Sequence, residues 1–289
     1  MKKKITSWLD NATIGRKISV ISLILVIVPA LVVGFVAYSS AESAIKNDIQ
    51  TNLEIQVTDL NDETKTVYDL TLVKVKSDLN VFREFFYAKG DAAIVNDKLV
   101  LGSSYVVNDN FQIVDEVQKL LGGTATVFQK EGDQAIRIST NVIGEDGKRA
   151  IGTSVSDKVY DEVINKGQTY YGTATVVGKE YITAYEPIKD KSGNIIGILF
   201  VGVEEDSTIG LLEDQIKAKK IGQDGYMYVL NSQGITVIHP TNEGRNDSDL
   251  PFIKDIIAKK DGYLAYNYNG VEKVAAFSYF EPFDWIIVA

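Results

Sequence analysis

The sequence predicts an α+β protein. One N-terminal transmembrane helix continues into a long stalk helix, and two tandem modules with five-stranded antiparallel sheets follow. Three observations predict this. From Ile18 to Tyr38 no charge occurs, and as a helix this run is about 32 Å long, close to the ~30 Å hydrocarbon core of a bilayer. From Ser39 to Tyr87 there is no Pro and no Gly, and apolar residues recur at helical spacing. After Asp91 the pattern changes to short β-type runs broken by Gly and Asn/Asp turns, and two such blocks resemble each other.

The membrane helix is justified by its length and its flanks. A cleaved signal peptide has an apolar core of about 7–15 residues and a small-residue cleavage site. Here the core is longer, and Val36–Ala41 makes a poor site. Pro29 is tolerable inside lipid. Residues 1–17 hold five basic side chains and one acidic one, Asp10. By the positive-inside rule this end is cytoplasmic, and the acidic remainder lies outside the cell. The chain is thus expected in the cell membrane.

The stalk helix is read over 39–87. Ile45, Ile49, Leu53, Val57, Leu60, Thr64, Val67, Thr71, Val75, Leu79, Phe82 and Phe86 follow steps of three and four, and Lys89-Gly90-Asp91 supplies a stop. The distal half reads as a helix covering its own domain. The membrane-proximal half has a narrow apolar seam in a polar surround, which suits a homodimer packed along the stalk.

The two modules are read over 88–205 (membrane-distal) and 206–289 (membrane-proximal). TVFQKEGDQAIRISTN from Thr126 matches MYVLNSQGITVIHPTN from Met227, each a strand, a turn and a strand ending in Thr-Asn. GKEYITAYEPI from Gly178 matches GVEKVAAFSYF from Gly270, and both continue into an apolar strand. A hairpin, a crossover and a three-strand meander give a five-stranded sheet with one face against a helix.

Composition excludes several classes of chemistry. There is no Cys and a single His, His239, which removes disulfides, Cys-ligated metals, thiol catalysis and multi-histidine metal sites. A net charge of −9 repels phosphate backbones, so no nucleic-acid partner is expected. No phosphate loop, G-x-S-x-G elbow or H-E-x-x-H occurs. No enzyme, metal or cofactor is expected.

The modules carry a family resemblance. ATVFQKEGDQAIRISTNV, GKRAIGTSV from Gly147 and GTATVVGKEYITAYEPIKDKSGNIIGILFVGV from Gly172 resemble the first half of a fused Cache type 3 plus Cache type 2 sensor region. The last of these also resembles the periplasmic domain of citrate-sensing kinases. GYMYVLNSQGITVIHP from Gly225 and KVAAFSYFEPFDWIIVA from Lys273 resemble the Cache type 2, PAS-like half. The resemblance implies the extracellular region of a methyl-accepting chemotaxis receptor or sensor histidine kinase. Such proteins continue into a second membrane helix and an output domain, so the chain is expected to be a fragment.

Period-two alternation sorts candidate ligand contacts by sheet face. In the distal module these are Arg137, Ser139, Arg149, Tyr171, Tyr181, Thr183 and Tyr185, an arginine fork with hydroxyls suited to a small carboxylate or amino-acid-like ligand. The blander readings are a surface strand arginine for Arg137, a surface turn residue for Arg149 and packing tyrosines. In the proximal module the candidates are Tyr226, Tyr228, His239, Lys273 and Tyr279, with His239 equally readable as a turn residue before Pro240. Arg137 aligns with Ile238, so the modules need not both bind, and the distal one is favoured. The competing view is a membrane-anchored structural or adhesive ectodomain with no small ligand.

Overall fold

The computed structural model describes residues 13–289 and divides into two compact units, the first ending at Ile55 and the second beginning at Gln56. The leading Lys2, Lys3 and Lys4 lie outside the described residues. Helix α1 (Ile14–Tyr87) contains Pro29. In the first unit Leu25, Val26, Phe35 and most other apolar side chains of α1 are exposed, Leu53 being buried, and the helix is long and apolar enough to cross a membrane.

In the second unit α1 is an ordinary amphipathic core helix. Val57, Leu60, Thr64, Val75, Leu79, Phe82 and Phe86 are all buried, as expected for one stripe of a 3.6-residue repeat facing a core. The seam read as a dimer face is therefore used by the chain's own modules from Val57 onward. Ile45 and Ile49 stay exposed. The helix stops where Lys89-Gly90 turns the chain. A Cβ on Gly90 would lie 2.5 Å from the Gly102 Cα, so this close approach and its φ of +116° require glycine.

A small sheet that the sequence did not announce follows, from β1 (Ala92–Val95), β2 (Lys98–Leu101) and β3 (Tyr105–Val106). Helix α2 (Gln112–Leu121) ends on Gly122 in the left-handed conformation, the common C-terminal stop. Strands β4 (Thr124–Glu131) and β5 (Gln134–Thr140) form the first hairpin. The crossover carries α3 (Asp157–Tyr160), capped by Ser156, and a π-helical turn over Asp161–Asn165. Strands β6 (Tyr170–Val176), β7 (Lys179–Lys189) and β8 (Ile195–Glu204) form the meander.

Helix α4 (Glu205–Ala218) and a short ladder of β9 (Lys220–Ile221) with β10 (Gly225–Tyr226) open the second module. Its hairpin is β11 (Tyr228–Asn231) with β12 (Thr236–Ile238). Its crossover carries α5 (Pro251–Lys259), and its meander is β13 (Gly262–Tyr268), β14 (Val271–Phe280) and β15 (Trp285–Val288). The sheet orders are β5-β4-β8-β7-β6 and β12-β11-β15-β14-β13. These are one topology used twice. The register agrees as well: Phe128 opposes Arg137, and Val229 opposes Ile238. The internal repeat read from the sequence is thus a structural repeat.

Candidate functional site: a cavity over the distal sheet

Each sheet has one face under its crossover. In the distal module that face carries Phe128, Tyr181, Tyr185, Ile198 and Phe200, packed against Val159, Val163 and Ile164 of the crossover. The packing is incomplete. A cavity of about 430 Å³ remains between the sheet and the 152–156 segment, and Arg137, Tyr185 and Phe128 lie on its walls.

Arg137 is 3% exposed. Its guanidinium lies over the Phe128 ring, 5.1 Å from the centroid, and Nη1 donates to Thr153 Oγ1 at 2.8 Å. Its Nε is buried with no hydrogen-bond partner among the described residues. No carboxylate pairs with it there, and the ionisable groups that bear on it are the hydroxyls of Tyr185 and Tyr181. Burial lowers the guanidinium to about 10, since a low-dielectric surround disfavours the charged form. It remains a cation at neutral pH.

The wall opposite is held by backbone pairing with the same residue. Arg137 N donates to Thr153 O at 2.8 Å, and Gly152 N donates to Arg137 O at 2.9 Å. Gly152 takes a φ of +84°, which suits glycine and reverses the chain over the cavity. Tyr185 is buried, and burial raises its hydroxyl well above the ordinary tyrosine range. That hydroxyl is a neutral donor with no hydrogen bond of its own among the described residues.

Three expected contacts fall elsewhere. Ser139 was expected beside Arg137, two residues away on one strand. A β-bulge intervenes: Phe128 opposes Arg137 while Val127 opposes Ser139. The extra residue, Ile138, turns Ser139 to the other face, where its hydroxyl donates to Asn110 O at 2.6 Å. Arg149 forks onto Asp115 at 2.7 and 3.0 Å, donates to Thr140 O and stacks on Phe111. It ties the crossover to α2 and does not line the cavity. Tyr171 opposes Ala184 in the ladder, so it faces α1, is 41% exposed, and lies under Lys76.

Tyr181 and Thr183 do share the cavity-side face with Tyr185. Tyr181 is core, and the Thr183 hydroxyl is committed to Gly172 O at 2.7 Å. Among the lining residues missed are Gly152, Thr153, Ser154 and Ser156. The GKRAIGTSV motif held most of them, but turn residues have no alternation from which a facing direction can be read.

In the proximal module Tyr226, Tyr228 and His239 form one aromatic cluster with ring centroids 5.0–5.9 Å apart. Lys273 lies over Tyr226 and Tyr268. Tyr279 does not join this cluster, because its ring is capped by Lys260 and its hydroxyl bonds Asp284 Oδ1 at 3.0 Å. His239 Nδ1 accepts from the backbone N–H groups of Thr241 and Asn242 at 3.0 and 3.1 Å. It is a turn residue. A second cleft of about 370 Å³ between α1 and α4 is floored by Leu60, Ile216 and Met227.

The role of His239 in the turn implies a small acid sensitivity. Burial lowers its pKa, against raising contributions from Asp247 and Glu243. The unfolded chain therefore binds the proton more readily, and stability falls as the pH drops below about 6.5. His239→Asn keeps an acceptor for the two N–H groups and removes the titration. Melting at pH 7.5 and 5.5 is expected to show a drop larger by roughly 1–3 °C in the parent chain than in the variant. Equal drops would exclude the mechanism.

Comparison with known proteins agrees with this architecture. The model of the Cache 3/Cache 2 fusion domain matches residues 38–289. Methyl-accepting chemotaxis protein McpB of Bacillus subtilis (strain 168) is 24% identical over 291 residues, covering 99% of this chain and 40% of the relative. TlpB of the same organism is 22% identical over 294 residues, covering 98% and 39%. The chain therefore spans about 40% of the length of these curated relatives. The sensory domain of the Campylobacter jejuni chemoreceptor Tlp3 has the same fold, with a TM-score of 0.50 and 14% identity, covering 88% of this chain and 96% of that one. A second Tlp3 structure, in complex with 4-methylisoleucine, gives a TM-score of 0.52 at 12% identity, covering 84% and 90%. With the family model matching most of its length, and both sheets in the expected order, the chain belongs to the Cache 3/Cache 2 fusion domain family.

Proposed function

We propose that this chain is the sensing region of a membrane-anchored chemotaxis receptor and that its distal module, residues 88–205, binds a small carboxylate-bearing metabolite. One observation carries the reading: a buried guanidinium with no counter-carboxylate among the described residues opens on a cavity of about 430 Å³. An uncompensated buried charge costs stability. A ligand carboxylate held by two parallel N–H donors would offset it. A purely structural or adhesive ectodomain would gain stability by replacing that charge with an apolar group. The similarity to chemotaxis proteins, and to the fold of a Tlp3 complex with 4-methylisoleucine, supports a small-molecule sensor.

In this reading α1 anchors the protein with its N-terminus in the cytoplasm, and the sensor modules lie outside the cell. Ligand binding shifts the balance between two arrangements of sheet and helix, and α1 carries the difference. About 1–3 kcal/mol of coupling suffices. Two copies pair through the part of α1 that bears Ile45 and Ile49. Calorimetric titration of the full chain in detergent with a panel of organic acids and amino acids tests the binding claim. At least one acid is expected to release or absorb heat. Arg149→Ala is expected to keep that affinity while losing about 1–2 kcal/mol of stability with its Asp115 and Thr140 bonds. No heat for any compound would remove the reading.

A further inference from the structure

The lining of the Arg137 cavity fixes more than the presence of a carboxylate. It holds one cation and no acidic side chain. The carboxylates on β7 alternate away from Tyr185 and are engaged: Glu186 is paired with Arg83 of α1, and Glu180 accepts from the hydroxyl of the lining residue Thr175 at 2.6 Å. An amino acid would bring an ammonium group alongside the guanidinium with no counter-charge to receive it.

The neutral acceptors are largely spent as well. Thr153 Oγ1 accepts from Arg137 and donates to Ala150 O at 2.9 Å. Ser156 Oγ accepts from Val159 N as the cap of α3. The face of Phe128 already carries Arg137, so it offers no second cation–π seat. Ser154 and Tyr185 are the lining residues whose hydroxyls are left without a partner among the described residues. Two neutral hydroxyls suit a ligand hydroxyl and cannot satisfy the three donors of an ammonium.

We infer that the distal cavity selects a monocarboxylate lacking an ammonium group, a short 2-hydroxy or unsubstituted acid, and rejects the isosteric 2-amino acid. The inference rests on the reading of the cavity as the ligand site. A single guanidinium balances a single negative charge, so a second carboxylate would enter unpaired. Val155, Val176 and Val177 line the remainder and take a short alkyl chain.

Two isosteric pairs test this on the full chain in detergent: L-lactate against L-alanine, and 2-hydroxyisovalerate against L-valine. Each is titrated calorimetrically into the parent and into Arg137→Met. In at least one pair the hydroxy acid is expected to bind more than tenfold tighter than the amino acid, and Arg137→Met is expected to lose it. An amino acid that binds as tightly as its partner, and is lost in Arg137→Met, overturns the inference and leaves the site reading standing. Binding that survives Arg137→Met overturns the site reading itself. Silence from both pairs overturns the inference alone, since the wider panel still probes the cavity.

Discussion

Arg137→Met is expected to abolish ligand binding and, at the same time, to stabilise the ligand-free chain. Removal of a group that holds the fold together gives the opposite sign. The guanidinium is buried, and among the described residues its Nε has no partner and its only side-chain hydrogen bond is to Thr153. Replacing buried ionic groups with apolar ones of similar size is often neutral or stabilising by about 1–4 kcal/mol. Met keeps the length of the side chain and the contact with Phe128. Offset by the lost Thr153 bond and the lost ring contact, a gain of about 1 kcal/mol remains, or roughly 2–4 °C in melting temperature for a unit of this size. Thermal unfolding without ligand, paired with titration by whichever acid the parent binds, reads both quantities. A melting temperature that falls by several degrees would make Arg137 a structural residue and deprive the cavity of its main argument.

Parts of this site were legible in the sequence, and the failures have physical causes. The two sheets were legible because the chain repeats itself, and aligned turns gave the same hairpin register twice. The shared facing of Arg137 and Tyr185 toward the cavity was legible because alternation holds along most of β5 and all of the relevant part of β7. Ser139 was misassigned because Ile138 is an extra residue in the ladder, and one extra residue reverses every facing direction beyond it. Arg149 was misassigned because its partner, Asp115, sits 34 residues away on α2. No local pattern reports such a pair. Tyr171 was misassigned for a simpler reason: its facing direction depends on pairing with Ala184, which sequence alone does not give. The stalk seam was read correctly as helical, yet periodicity cannot say whether a stripe meets the same chain or another.

Arg83→Ala is expected to destabilise the second unit by about 2 kcal/mol while leaving ligand affinity within about threefold of the parent. Arg83 of α1 and Glu186 of β7 form a bidentate pair, with Nε 2.6 Å from Oε1 and Nη2 on Oε2. The glutamate side chain is the more buried of the two. Taking away one partner strands the other, which costs about 3–5 kcal/mol at full burial. Solvent reaches part of Arg83, so the smaller figure applies. The expected drop in melting temperature is about 4–8 °C, and the double variant Arg83→Ala/Glu186→Ala is expected to recover part of it, because no charge is then left unpaired. Under the proposed function the pair also bears on signalling. Glu186 follows Tyr185 in β7, and successive strand residues face opposite sides, so one lines the cavity while the other grips the helix. In that reading, a ligand that displaces Tyr185 would move the residue to which α1 is tied. An Arg83→Ala chain that loses its ligand together with its stability would show that the cavity needs the helix to stay formed. One that binds normally would leave the pair as the tie between a competent cavity and α1.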